Sequence, residues 1–92
     1  VAINNQGVTL AKTGDFLGGV NLLRAAAQKL PNNEVILVNL CSLLIGLMSR
    51  ESKKDLLASE VRGLLERVHQ LNPANRKSQQ LADTLTRVLG RK

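Results

Sequence analysis

The chain is predicted to be all-α, built from antiparallel helix pairs that stack as a repeat. Three observations predict it. Two segments end alike, one in Leu22-Leu23-Arg24-Ala25-Ala26-Ala27-Gln28-Lys29-Leu30-Pro31-Asn32-Asn33 and the other in Leu64-Leu65-Glu66-Arg67-Val68-His69-Gln70-Leu71-Asn72-Pro73-Ala74-Asn75. Apolar residues recur at three- and four-residue spacing, and the strict alternation of a half-buried strand persists nowhere. Residues 34–48 are apolar almost all round, with only Glu34, Asn39, Ser42 and Gly46 outside that set, so this helix needs neighbours on several sides. A unit recurring in this way marks a helical repeat. Stacked repeats build concave surfaces that usually bind other proteins.

The elements follow in order. Residues 2–12 carry Ile3, Val8, Leu10 and Ala11 at helical spacing and form a first helix. Gly14 can take the left-handed conformation that ends a helix, and the Asp15 carboxylate can accept from the free N–H groups of the next. The second helix covers 16–30. Pro31-Asn32-Asn33 stops it, because proline cannot continue a helix and Asn favours turns and caps. The third covers 34–48, and 49–54 is a charged connection. The fourth, 55–71, repeats Leu56, Leu57, Val61, Leu64, Leu65, Val68 and Leu71 at three- and four-residue intervals. Asn72-Pro73-Ala74-Asn75 ends it. A more polar fifth helix covers 76–89.

Ninety-two residues make one domain at most, and a chain this short buries only about 60–65% of its unfolded surface. The start at Val1, with Met48 the only methionine, is read as a fragment of a longer protein. With one Phe and no Trp or Tyr, the core must be aliphatic. A single Cys excludes an internal disulfide and fits a reducing, cytoplasmic setting. The longest uncharged run, 35–49, falls short of the ~20 residues a membrane span needs.

Residues 1–33 resemble a tetratricopeptide repeat. Gly7 and Leu10 stand at its small and large first-helix positions, and Gly14-Asp15 resembles its turn. Gly19, Leu23 and Ala26 match its second helix, and Pro31 closes the unit. Ile3 replaces the usual aromatic and Gln6 the usual Leu. Residues 34–75 form a looser second unit, with Leu37, Leu40, Cys41 and Leu44 on its first helix and Val61, Leu65 and Val68 on its second. Pro31 and Pro73 lie 42 residues apart, which implies about eight inserted residues between the helices. The helix over 76–89 carries Asp83 where a small residue belongs and is similar to the polar helix that caps such arrays. The resemblance implies a short right-handed superhelix of five helices. The Asn-Gln-Gly-Val start and Leu-Pro-Asn-Asn turn also look like repeat domains attached to receiver domains in bacterial response regulators, which implies signalling.

The repeat geometry implies a groove. Its floor would be Val35, Val38, Asn39, Ser42, Ile45 and Gly46, flanked by Asn4, Asn5, Val8 and Lys12 and by Lys77, Gln80, Thr84 and Arg87. Val35, Val38 and Ile45 would give apolar contact, and Asn39, Lys77 and Arg87 selectivity. Some family members clamp a peptide's C-terminal carboxylate. Asn39 and Lys77 match two of those five positions, whereas Asn4, Val8 and Leu81 do not, so the clamp is not carried over. The expected partner is a protein or peptide, with a homodimer or an attached signalling domain on the same strip as the alternative.

The net charge of +6 favours an acidic partner. Lys53, Lys54, Arg62 and Arg67 cluster around the fourth helix, Arg76, Lys77, Arg87, Arg91 and Lys92 at the end. Both clusters are expected to be solvated and mostly unpaired. Nucleic acid is disfavoured, since the single Phe is expected to be buried rather than to stack bases, and there is no reader motif. Nothing points to catalysis, a cofactor or a metal. His69 is a lone surface imidazole, and Cys41 an inert packed thiol. Gly18-Gly19 lacks the strand and Gly-Lys-Ser/Thr of a phosphate loop, so close helix packing is expected to explain it.

Overall fold

The computed structural model describes Thr9, Lys12 and residues 14–48 and 54–90. Four helices fall within 14–90: α1 (Phe16–Lys29), α2 (Glu34–Met48), α3 (Lys54–Leu71) and α4 (Arg76–Leu89). The described residues contain no strand. These helices are the expected second to fifth. The expected first helix lies almost wholly outside the described residues, which reach only its helical, exposed Thr9 and Lys12.

Each boundary has a local cause. Gly14 has φ 102°, a left-handed conformation that side chains disfavour. Asp15 then caps α1, its Oδ1 accepting from the Gly18 N–H at 2.9 Å. That cap also explains Gly18. A Cβ there would collide with the Asp15 carboxylate, so at this position the cap, rather than helix packing, requires glycine. Its neighbour Gly19 is buried. At the other end, α1 stops at Lys29, one residue earlier than expected. Leu30 has φ −127° and ψ 68°, consistent with the bias against helical backbone before proline.

The two Asn-Pro turns share one hydrogen-bond scheme. In the first, Leu30 N–H donates to Ala26 O, Asn33 N–H to Leu30 O and Leu37 N–H to Asn33 O. Asn33 Oδ1 caps α2 by accepting from Ile36 N–H at 3.1 Å. In the second, Asn72 N–H donates to Val68 O, Asn75 N–H to Asn72 O and Gln79 N–H to Asn75 O. Asn75 Oδ1 caps α4 through Ser78 N–H at 2.9 Å. Every one of these bonds recurs at the 42-residue shift that separates Pro31 from Pro73.

α2 is the centre of the packing and touches the other three helices. Nine of its fifteen residues are buried, which is why it is apolar nearly all round. Val20 and Leu23 of α1, Leu40, Cys41, Leu44 and Met48 of α2, Ala58 and Val61 of α3 and Leu85 of α4 form the main core. A smaller cluster joins Leu37 and Val38 to Val68. Gly46 lets α1 approach α2 closely, since a Cβ there would lie 2.7 Å from the Phe16 ring. The ring covers the glycine, which corrects its expected place on an open groove face. No α1 residue brings its Cα within 8 Å of one in α3.

Candidate binding groove

The unburied part of α2 is mostly a single stripe. Val35, Asn39, Ser42 and Gly46 follow one another at i, i+4, i+7 and i+11, the spacing that stays on one helical face. Val35 is 61% exposed, Ser42 is exposed, and Asn39 is half-buried.

α4 lies along one flank of this stripe. Its N-terminus is tied to that of α2 by a hydrogen bond from Asn75 Nδ2 to Glu34 Oε1 at 3.0 Å. From there Lys77, Gln80 and Leu81 face Val38, Asn39 and Ser42 across a cavity of about 220 Å³. A second cavity, of about 350 Å³, adjoins it at the helix N-termini, between Val35, Val38 and Asn39 on one side and Asn75, Arg76 and Lys77 on the other. The two share Val38, Asn39 and Lys77, so they form one trough, with Val35, Val38, Asn39 and Ser42 on its floor and Glu34, Arg76 and Lys77 on its rim.

The expected groove residues divide into three groups. Val35, Asn39, Ser42, Lys77 and Gln80 come together around the trough. Val38 and Ile45 are 5% and 7% exposed. Val38 clusters with Leu81, and Ile45 belongs to the same core as Leu85. Their burial corrects their expected use as apolar contact surface: α4 already covers that flank. Val38 keeps a sliver of surface on the trough floor, and Val35 is left as the open apolar contact. Thr84 and Arg87 follow Gln80 along α4 but line neither cavity, and the Thr84 hydroxyl donates to Gln80 O of its own helix at 3.0 Å. Lys12 is exposed; Asn4, Asn5 and Val8 lie outside the described residues.

Three participants had not been read from the sequence. Asn75, Glu34 and Arg76 form the end of the trough. The matching Asn33 and Asn75, each immediately before its helix, were the signal that could have found Asn75.

The basic residues are less uniform than expected. Arg24 pairs with Glu60 through Nε–Oε2 at 2.9 Å and Nη2–Oε1 at 2.6 Å. That hydrogen bond raises the Arg24 pKa above its ordinary value, against the desolvation that lowers it. Arg67 is not merely solvated: its Nε donates to Pro31 O at 3.0 Å and its Nη2 to Asn32 Oδ1 at 3.1 Å. Arg76, Lys77 and Arg87 make no hydrogen bond or ion pair among the described residues. Lys53, Arg91 and Lys92 lie outside those residues, as does the side chain of Lys54.

Cys41 is free and buried. Burial, and secondarily the charge of Glu60, push its thiol up to about 12, so it stays protonated at neutral pH. Among the described residues no three His, Cys, Asp or Glu side chains converge to hold a metal ion, and no helix is long and apolar enough to cross a membrane. No family model matches the chain, and no curated protein or solved structure matches it significantly.

Proposed function

We propose that this chain is a non-catalytic protein-interaction module of tetratricopeptide type. It consists of two repeat units, 1–33 and 34–75, with 76–89 as capping helix, five helices in a short right-handed superhelix. Its trough between α2 and α4 takes a peptide or helix of a partner protein. The observation that carries this reading is the trough itself: an exposed Val35 on a mostly buried helix, beside Lys77 and Arg76, which form no ion pair among the described residues. Large apolar side chains left open beside polar rims commonly mark interaction sites. The cationic rim favours an acidic partner. A buried, unpaired Cys41 fits a reducing compartment such as the cytoplasm.

Peptides selected against the whole chain by phage display test the proposal. Binding should weaken at least tenfold in Val35→Asp and in Lys77→Glu, and stay unchanged in Arg62→Glu. Loss confined to Arg62→Glu would move recognition to diffuse charge and end the trough reading. Val38→Asp is not a suitable probe, because it would place a carboxylate in the core.

The exposure of Val35 also favours a second reading, in which a second copy or an attached signalling domain covers the strip. Sedimentation at rising concentration separates them: a dimer dispersed by Val35→Asp puts a second copy in the trough.

A further inference from the structure

On the side of α2 opposite Val35 and Ser42 lies a second cleft. Leu37 and Leu40 form its floor, α1 and α3 its walls, and its volume is about 380 Å³. The walls run in the same direction. Arg24 reaches Glu60, and further along both helices the first turn meets Arg67. The gap between them is spanned by side chains, since the backbones stay apart.

Two large apolar residues stand open on the helices that wall this cleft, beyond its lining. Leu17 lies seven residues before Arg24 and is 57% exposed; Leu56 lies four residues before Glu60 and is 73% exposed. Helical periodicity puts Leu17 on the stripe of Arg24, and Leu56 on the stripe of Glu60, Gly63 and Arg67.

Gly63 is the informative residue. Glycine in mid-helix is unfavourable compared with alanine. A Cβ at Gly63 would meet nothing within 4 Å, so the fold does not require a glycine there. The bare, exposed helix surface there leaves room for another backbone to come close.

The charge is uneven as well. Glu60 neutralises Arg24, whereas Arg67 donates only to the uncharged Pro31 carbonyl and Asn32 amide. Among the described residues Arg67 therefore has no carboxylate partner, at the turn end of the cleft.

We propose that this outer cleft docks an amphipathic helix of a partner protein. Its apolar side chains pack on Leu17 and Leu56 and on the half-buried Ala27 and Leu64 of the cleft walls. Its backbone passes close to Gly63, and a carboxylate near one end meets Arg67. A helix suits the seat because α2 already occupies the corresponding space from the other side. α1 has 14 residues, so the walls are about 20 Å long and match a partner helix of about four turns. The site is separate from the trough and does not depend on it.

The test uses single-helix peptides randomised along one face, displayed on phage and panned against the whole chain. Selected sequences should carry apolar residues at i, i+3 or i+4 and i+7, with an Asp or Glu near one end. Affinity of a synthetic winner, read by fluorescence anisotropy, should fall at least tenfold in Leu56→Asp and Gly63→Met and about threefold in Arg67→Ala. It should be unchanged in Val35→Asp. Gly63→Ala should raise Tm by about 4–8 °C while weakening binding, because the methyl favours the helix and obstructs the partner. Opposite signs for stability and affinity are what a merely structural glycine would not produce. Winners that lose binding in Val35→Asp and keep it in Leu56→Asp and Gly63→Met would overturn the proposal and leave the trough reading standing. A dimer of the chain dispersed by Leu56→Asp would also overturn it, naming a second copy as the occupant.

Discussion

The Pro31 and Pro73 turns use the same backbone scheme but are braced from different places. Pro31 O accepts from Arg67 of α3, 36 residues away. Pro73 O accepts from Gln79 Nε2 at 3.1 Å, six residues away on the helix the turn introduces. Asn32 Oδ1 takes a second Arg67 donor, whereas Asn72 Oδ1 bonds the nearby Ala74 N–H at 3.1 Å. The caps differ in reach too. Asn33 Oδ1 caps α2, while Asn75 caps α4 and also holds Glu34. A turn within the stack leans on the next helix pair, and the following turn supplies its own support. Identical local geometry can therefore carry different long-range consequences.

The largest expected effect separates both turns from the core between them. Alkali should attack Cys41 and leave the amide-built turns intact. The folded thiol pKa is raised to about 12 from an ordinary 9.0. The folded state then holds its proton more tightly than the unfolded state. The associated stability is fully present below pH 9 and is lost as pH rises towards 12, by a few kcal/mol at most. Urea midpoints at pH 8 and pH 11 should show the drop, and Cys41→Ala should flatten it. An equal slope in both proteins would show that the thiol is not responsible.

Next in size is Asn75→Ala. It removes a cap and the bond to Glu34, and should cost about 2 kcal/mol by urea denaturation. Asn33→Ala removes the cap alone and should cost about 1 kcal/mol. Equal costs would mean that the Asn75–Glu34 bond adds nothing. Replacement by Asp sharpens the contrast. Asn33→Asp should be neutral or slightly stabilising at a helix N-terminus, whereas Asn75→Asp should destabilise by setting a second carboxylate against Glu34.

Smaller effects distinguish the braces. Arg67→Ala should cost about 1 kcal/mol and speed amide exchange at Asn33 and Leu37 across the first turn. Gln79→Ala should cost about 0.5 kcal/mol or less, with faster exchange confined to the second turn. Smallest is the Arg24–Glu60 pair, partly open to solvent at 37% and 31% side-chain exposure. A double-mutant cycle should give about 0.2–1 kcal/mol.

Much of the helical framework was legible because its causes are local. The limits 34–48 and 76–89 follow from Asn caps and apolar periodicity, both of which act within a few residues. The 42-residue recurrence was legible for the same reason, as each turn carries its own hydrogen-bond ring. The groove was only half legible. The repeat resemblance implied that Val35, Val38, Asn39, Ser42, Ile45 and Gly46 share one face of α2, but could not say which edge a neighbour would cover. The core took Val38 and Ile45, and Phe16 took Gly46. Arg67 and Glu60 carried no sequence mark of their partners, which lie 35 and 36 residues away.

The sequence by itself determined where α2 and α4 begin and end, that α2 is central, and that Cys41 would be buried in it. Spacing and capping require only bonds between near neighbours. The tertiary structure alone decided that α4 closes one flank of the α2 stripe, that Arg67 braces the first turn, and that α1 and α3 stand apart over a second cleft. Those outcomes depend on how packed helices fill space against one another, and no short window of residues contains that geometry.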